Sequence, residues 1–404
     1  MESEIASWFS VIFRFVHVLA SIMWIGNSIL FTWMELNLIA PKAGDENNDK
    51  DLLGHLDMLH GGGVFHLQKR VINPGAIPSP LHWFMWQSYT TWITGTLLLI
   101  TVFYINGGAP LLDSSKSALT GWGAIGMSVG GIIAWWLVYD TIWRSKLKEA
   151  PALAVLLTFA LLMTATVFLN QYFNGRAVFL QVGVMLGSAM TANVFVHIIR
   201  NQKKFMKALL AGKPHDLKYG KQAKTRSMHN HYMTFPVLFM MLSAHFPQLI
   251  SADWLSPILG VIIVSLMLVK FFMNSRYNFG GWLVAIFIVF FIAVGLIKVL
   301  LIMPASTSDV GLTDTQKGAK IFVAQGCAVC HQVGSSQLAP NLDKLYNSTV
   351  QLADGGKVIA DEAYLRESIE RPQAKIVKGY PASMPPVSLT KEQLDYLIAY
   401  LKTR

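Results

Sequence analysis

The sequence predicts an all-α protein: a polytopic bundle of about eight membrane-crossing helices over residues 1–304, then a small soluble domain over 305–404. Three observations carry this. Hydrophobic residues make up 53% of the 404 and charged residues only 14%, whereas about a quarter of an ordinary soluble protein is charged. Eight apolar stretches approach the length needed to span a bilayer. Past Pro304 those stretches stop and charged residues return. The same composition excludes a disordered chain, which needs low hydrophobicity and high charge.

The apolar stretches run over 8–38, 83–104, 122–139, 153–170, 177–199, 232–245, 255–272 and 282–303. Tryptophan or tyrosine stands at many of their ends, as at a headgroup boundary. The sixth is the weakest, interrupted by Pro236 and closed by Pro247. The first follows an acidic start, Glu2 and Glu4, and is too long for the apolar core of a cleaved signal. No long-range repeat is visible.

Charge orients the bundle. Between the fifth and sixth stretches lie Arg200, Lys203, Lys204, Lys207, Lys213, Lys218, Lys221, Lys224 and Arg226, against the single acid Asp216. The third connection carries Arg144, Lys146 and Lys148, and the seventh Lys270 and Arg276, while the even connections are poor in cations. Positive-inside logic puts the odd connections in the cytoplasm and both termini outside, the result that an even number of spans also demands. The formal net charge of +10 is thereby read as a topology signal and not as a nucleic-acid surface.

The soluble tail holds both cysteines of the chain, in Cys327-Ala328-Val329-Cys330-His331. This is the C-x-x-C-H spacing of covalent haem attachment: two thiols bond the porphyrin edge and the next histidine reaches the iron. Upstream, 314–325 reads as a helix with Gly318 and Phe322 on one side. Downstream, Thr390 and Gln393 form a capping box for a helix with Leu394, Leu397, Ile398 and Leu401. Over 312–402 the tail resembles the class I cytochromes c. That resemblance implies a contact of the first and last helices at Gly318 and Tyr400, and a loop proline, Pro340, whose carbonyl orients His331. It also implies Met384 as sixth ligand, in Tyr380-Pro381-Ala382-Ser383-Met384-Pro385-Pro386. A His331/Met384 pair raises the potential relative to two histidines, which suits an electron acceptor. Haem c is attached outside the bacterial cytoplasm, so the tail is expected to be periplasmic.

An electron-carrying tail implies a donor site in the bundle. Arg14, His17, Ser21, Trp24 and Ser28 recur at three- and four-residue spacing on one face of the first stretch, and polar groups inside a membrane face the bundle interior. His17, with His245 near the outer end of the sixth stretch, is a candidate pair for a b-type haem; hydrogen-bonded helix-end histidines are the equal alternative. A second cluster gathers at the cytoplasmic side: His82, His197, Arg200, Arg226, His229 and His231, with His55, His60 and His66 in the first connection. Gly61-Gly62-Gly63 there permits backbone N–H groups to turn toward an anion, although a flexible loop is the commoner reading. No pair has a compelling metal-ligand spacing such as H-E-x-x-H.

His60-Gly61-Gly62-Gly63 with Phe65, Leu81-His82-Trp83-Phe84 with Trp86, Tyr89-Thr90-Thr91-Trp92, and Arg226-Ser227-Met228-His229-Asn230 with Thr234-Phe235-Pro236-Val237-Leu238 are similar to the membrane-bound bacterial urate oxidases (urate hydroxylases or dehydrogenases). That family joins an eight-span bundle to a cytochrome c. The resemblance implies oxidation of urate, or a related purine, to 5-hydroxyisourate, with electrons leaving through cytochrome c toward a periplasmic cytochrome c or terminal oxidase in the inner membrane. His17-Val18-Leu19-Ala20 and Trp24-Ile25-Gly26 also resemble the first span of haem-binding copper-resistance and protoporphyrinogen-oxidase-like membrane proteins. Acids are common in the urate oxidases where this chain has Gln68 and Gln87, and asparagine where it has His231.

A site for urate, a planar anion with two carbonyl edges, needs an arginine fork, a paired amide and an aromatic face. Arg226 or Arg70, Asn230 or Gln87, and Trp83 or Trp86 are the suppliers, with His231 beside them. His229 and His82 are the expected proton acceptors, since imidazole titrates near neutrality. Two other classes fit the same motifs: a respiratory electron-transfer subunit with no small organic substrate, and a membrane carrier of haem or metal.

Overall fold

A computed structural model describes residues 2–41, 51–71, 80–105, 107–113, 116, 119–212, 217–303, 312–325, 327–331, 339–381, 384, 387 and 389–404. Lys213, Asp216, Pro304 and, in the Met384 loop, Ala382, Ser383, Pro385 and Pro386 lie outside these.

Apolar runs flanked by polar turns become helices because a helix satisfies every backbone group internally. The order is α1 (Glu2–Leu36), a hairpin of β1 (Leu52–His60) and β2 (Gly63–Arg70), α2 (Trp86–Leu99), α3 (Gly121–Arg144), α4 (Pro151–Asn170), α5 (Gly175–Ala192), α6 (Arg200–Leu210), α7 (Leu217–Leu242), α8 (Pro247–Ile250), α9 (Leu255–Ser275) and α10 (Trp282–Ile302). The tail follows with α11 (Asp314–Ala324), α12 (Cys327–Cys330), β3 (Thr349–Gln351), β4 (Lys357–Ile359), α13 (Glu362–Glu370) and α14 (Lys391–Leu401). Among the described residues, six helices are long and apolar enough to cross a membrane. The second and sixth expected spans are helical as well. The second changes to a π-helix at Ile100–Tyr104, and the sixth is the apolar end of α7, whose first half is basic. The chain is a multi-pass, mostly helical membrane protein.

Two boundaries move. The fifth helix does not end at 199: a π-helical stretch, Asn193–Ile199, carries α5 into α6 without a break. The seventh begins at Leu217, fifteen residues before the apolar run. Lysine, glutamine and alanine are good helix formers, so both helices continue past the apolar segments by which a span is recognised. The glycine triplet also differs from the expected anion cradle or flexible loop. Gly61 and Gly62 both have positive φ, +60° and +80°, and form the two-residue turn between paired His60 and Gly63. Positive φ at both positions is what a tight hairpin turn requires.

The described residues fall into two compact units, Met1–Met241 with Gly260–Val294, and Leu242–Leu259 with Gly295–Arg404. In the first, α1 packs along α2, and α3 and α4 pack on α5. The middle of α5 is enclosed, with Val178, Phe179, Val182 and Ala189 fully buried. Its polar Gln181 is satisfied there: the side chain accepts from Ser128 Oγ (2.6 Å) and donates to the Ser128 carbonyl (2.8 Å), and Ser128 meets Tyr104 Oη at 2.7 Å. No side chain of α10 is buried, as lipid-facing apolar residues would be.

In the second unit, capping boxes at Thr313 and Thr390 start α11 and α14. The two helices cross at Gly318, where an added Cβ would strike the Tyr396 carbonyl and come within 2.7 Å of Tyr400 Cβ. Phe322, Leu394, Leu397, Ile398 and Leu401 fill the core with Val350 and Tyr364.

Candidate active site and haem centre

The arrangement starts from α7. At about 100° per residue, His229, Arg226, Asn230, Ser227 and His231 fan successively around its circumference. They therefore meet three different neighbours.

Asn230 and Ser227 face a cavity of about 510 Å³. Its other walls are Trp24, Ser28 and Thr32 of α1, His82, Trp83 and Gln87 at the start of α2, and Ile198 and Gln202 where α5 runs into α6. Four expected site residues thus converge: His82, Trp83, Gln87 and Asn230. Asn230 is held rigidly, its amide donating to the Met190 carbonyl (2.9 Å) and its oxygen accepting from Asn193 Nδ2 (2.9 Å). The cavity joins aromatic planes, the amides of Gln87, Gln202 and Asn230, and an imidazole, a set suited to a flat heterocycle with carbonyl and N–H edges.

Arg226 and His229 face α3 and do not line that cavity. Arg226 is 4% exposed; its guanidinium donates to Asp140 Oδ1 at 2.6 Å and lies 5.1 Å from the Tyr139 ring. Asp140 also takes His197 Nε2 at 2.6 Å and is 3.6 Å from Arg144. His229 Nδ1 is 2.8 Å from Tyr139 Oη, which accepts from Asn193 Nδ2 at 2.9 Å. Trp143 covers the His229 ring at 4.0 Å. The expected arginine fork is therefore engaged by a carboxylate. His229 reaches the cavity only through Tyr139, Asn193 and Asn230. Asp140 and Asn193 were missed in the sequence, although each is a polar residue in or beside an apolar span, the signal that marks interior-facing groups. Arg70 and Trp86, the alternative suppliers, are exposed, on β2 and at the first turn of α2.

His231 turns to α1 and α9. Its Nδ1 meets Thr32 Oγ1 at 3.2 Å and Ser28 Oγ at 3.5 Å, and its Nε2 meets Asn274 Oδ1 at 3.1 Å. Because Ser28 and Thr32 line the cavity, His231 stands one hydroxyl behind its wall.

His17 lies higher on α1. Its Nδ1 donates to the Thr91 carbonyl at 2.9 Å, with Thr94 Oγ1 at 3.2 Å. That bond fixes the ring and leaves Nε2 with its lone pair, the arrangement that metal-binding histidines use. Beside it Gly95 supplies room: a Cβ there would come within 2.9 Å of the ring. His245, on a turn after α7, is exposed. His17 belongs to the first compact unit and His245 to the second. No group of three or more histidine, cysteine, aspartate or glutamate residues positioned to bind a metal occurs among the described residues.

In the tail, one helical turn, α12, carries both cysteines, and the His331 N–H donates to the Cys327 carbonyl. His331 Nδ1 donates to the Pro340 carbonyl at 2.8 Å, which leaves Nε2 with the lone pair that would bind a haem iron. Burial keeps the His331 imidazole below its usual range, and Arg404 adds to this, against the opposing Pro340 bond; the direction favours the uncharged ring that ligation requires. Burial pushes the Cys327 thiol up to about 11. Met384 is half-buried. These donors fit a haem iron with histidine and thioether ligands.

The family description urate oxidase N-terminal matches residues 3–303, and the description cytochrome c matches residues 315–404. No curated protein matches the chain.

Proposed function

The chain belongs to the urate oxidase N-terminal family and ends in a cytochrome c domain, and from that premise we propose that this cytochrome-linked oxidoreductase dehydrogenates urate or a closely related purine. Urate and water give 5-hydroxyisourate, two protons and two electrons. Oxygen is not consumed at the bundle. The observation that carries the reading is the cavity in which His82, Trp83, Gln87 and Asn230 converge.

Trp83 offers a face to the purine ring, and Gln87 and Asn230 pair with its amide edges. The Met190 and Asn193 bonds hold the Asn230 amide in one orientation, so it pairs at little entropic cost. His82 accepts the proton of the attacking water or of a ring N–H. His231 acts behind the Ser28 and Thr32 hydroxyls as a second acceptor. Arg226 does not clamp the substrate. Bound to Asp140, it fixes α7 against α3, and His229 positions Asn230 through Tyr139 and Asn193. Cys327, Cys330, His331 and Met384 would hold a haem c, which when bound would supply one-electron acceptance. A b-type haem with His17 as a ligand belongs to the same proposal. So do a bundle over 1–304, a haem domain over 305–404, and an inner-membrane topology with the haem domain periplasmic, where a periplasmic cytochrome c or terminal oxidase receives the electrons.

The test is anaerobic addition of urate to membranes while the haem c absorption bands are followed. Wild type is expected to reduce. His82→Ala is expected to slow the reduction by on the order of 100-fold, and Lys146→Gln, a change at an exposed cation, to leave it unchanged. Wild-type bands that respond to dithionite but not to urate would refute the urate reading and favour an electron-transfer subunit without an organic substrate. A pyridine haemochrome spectrum of the intact purified protein that shows c-type haem alone removes the proposal of a b-type haem on His17.

A further inference from the structure

Arg200, Lys203, Lys204 and Lys207 occupy one face of α6, at offsets of three, four and seven residues. All four are exposed, and among the described residues no carboxylate is paired with any of them. Directly above, the wider turns of the π-helix Asn193–Ile199 shift the helix phase and bring Phe195 toward that same face. Phe195 is 66% exposed and meets the edge of Tyr89, from α2, at 6.1 Å. These six side chains border an open cavity of about 590 Å³ with apolar walls above and cations below. It lies on the other side of Ile199 from the cavity that His82 and Asn230 line.

We propose that this cleft binds an anionic phospholipid, its acyl chains along Phe195 and Tyr89 and its phosphate among Lys203, Lys204 and Lys207. Charge complementarity selects the occupant. Four cations with no carboxylate partner among the described residues, one of them (Lys204) lying 5.3 Å from the Tyr219 ring, stand at the end of an apolar cleft beside spanning helices; they match a molecule that is apolar along its length and anionic at its head, on the leaflet where anionic lipid and basic loops meet. A free inorganic anion leaves the aromatic wall without a partner. A zwitterionic lipid brings an ammonium against the lysines. The inference does not depend on the urate reading.

All twelve tryptophans of the chain precede Pro304, so tryptophan fluorescence reports unfolding of the membrane part without the haem domain. The full-length, haem-loaded protein in neutral detergent is heated with added phosphatidylglycerol, phosphatidylcholine or inorganic phosphate. Phosphatidylglycerol is expected to raise the Tm by several degrees, and the other two to leave it unchanged. The shift should disappear in the K203Q/K204Q/K207Q variant and persist in K146Q/K148Q, which removes cations elsewhere on the same side. A shift reproduced by inorganic phosphate would identify a free-anion site and overturn the proposal. So would a shift of equal size in the triple variant, or no shift in wild type.

Discussion

Asp140 gathers the charge between α3, α5 and α7, since one carboxylate meets Arg226 and His197 in the interior and Arg144 at the surface. Removing a buried partner leaves its counter-charge without compensation, a loss of about 3–5 kcal/mol. Asp140→Asn, which keeps the shape, is therefore expected to lower the stability of the membrane part by that order in denaturant unfolding followed by tryptophan fluorescence. Asp140→Asn with Arg226→Met should recover much of the loss, because no guanidinium then remains buried. A change below about 1 kcal/mol in the single variant would mean that the ion pair contributes no more than a surface one. At this scale the sequence was informative about residue type and less so about direction. His82, Trp83, Gln87 and Asn230 could be picked out as polar or aromatic groups near one rim, and they do share a cavity. Arg226 and His229 were equally visible, but which neighbour they meet depends on the rotation of α7. That rotation is fixed by packing against α3, which no local pattern records. Asp140 was overlooked because it follows the third apolar run by a single residue, and a boundary drawn at Tyr139 leaves it out.

Among the elements, the tail helices were the most legible, because capping boxes and a four-residue apolar spacing are local signals. What pins α13 to α14 was not: Glu362 Oε2 to Lys402 Nζ at 2.6 Å, and Arg366 to Asp395 at 2.6 Å. Lys402, with Arg366, holds the Glu362 carboxyl below its usual range, and Lys375, with Arg371, does the same for Glu367. A carboxylate whose folded pKa is depressed stabilises the fold above its unfolded pKa of about 4.3, and that contribution is lost as pH falls. The haem domain is thus expected to lose thermal stability on acidification from pH 5 to pH 3, by Soret-band circular dichroism of the holoprotein. Glu362→Gln should reduce that dependence; an unchanged slope would assign the acid sensitivity elsewhere. The hairpin and the two π-helices escaped sequence reading for different reasons. The hairpin lacks clean alternation, with β2 exposed along its whole length. A π-helix differs from an α-helix by a slight widening that side-chain periodicity over five or seven residues does not resolve.

For the whole molecule, charge and hydropathy were decisive early, because a bilayer imposes them on every span at once. The nine bases between the fifth and sixth stretches lie largely on α6 and the basic half of α7, and predict that side as cytoplasmic. A reporter enzyme active only in the periplasm is expected to work when fused after Met303 and to fail when inserted after Gly212; the opposite pattern would invert the topology. The long first helix has a further consequence. His17 and the cavity residues Ser28 and Thr32 belong to the same uninterrupted α1, and the eleven helical steps from His17 to Ser28 amount to about 16 Å. Were an electron to travel from a purine beside Ser28 to a redox group at His17, its tunnelling distance would be set by the backbone of a single rod. The rate-determining length would then be a fixed ruler written into the first thirty residues.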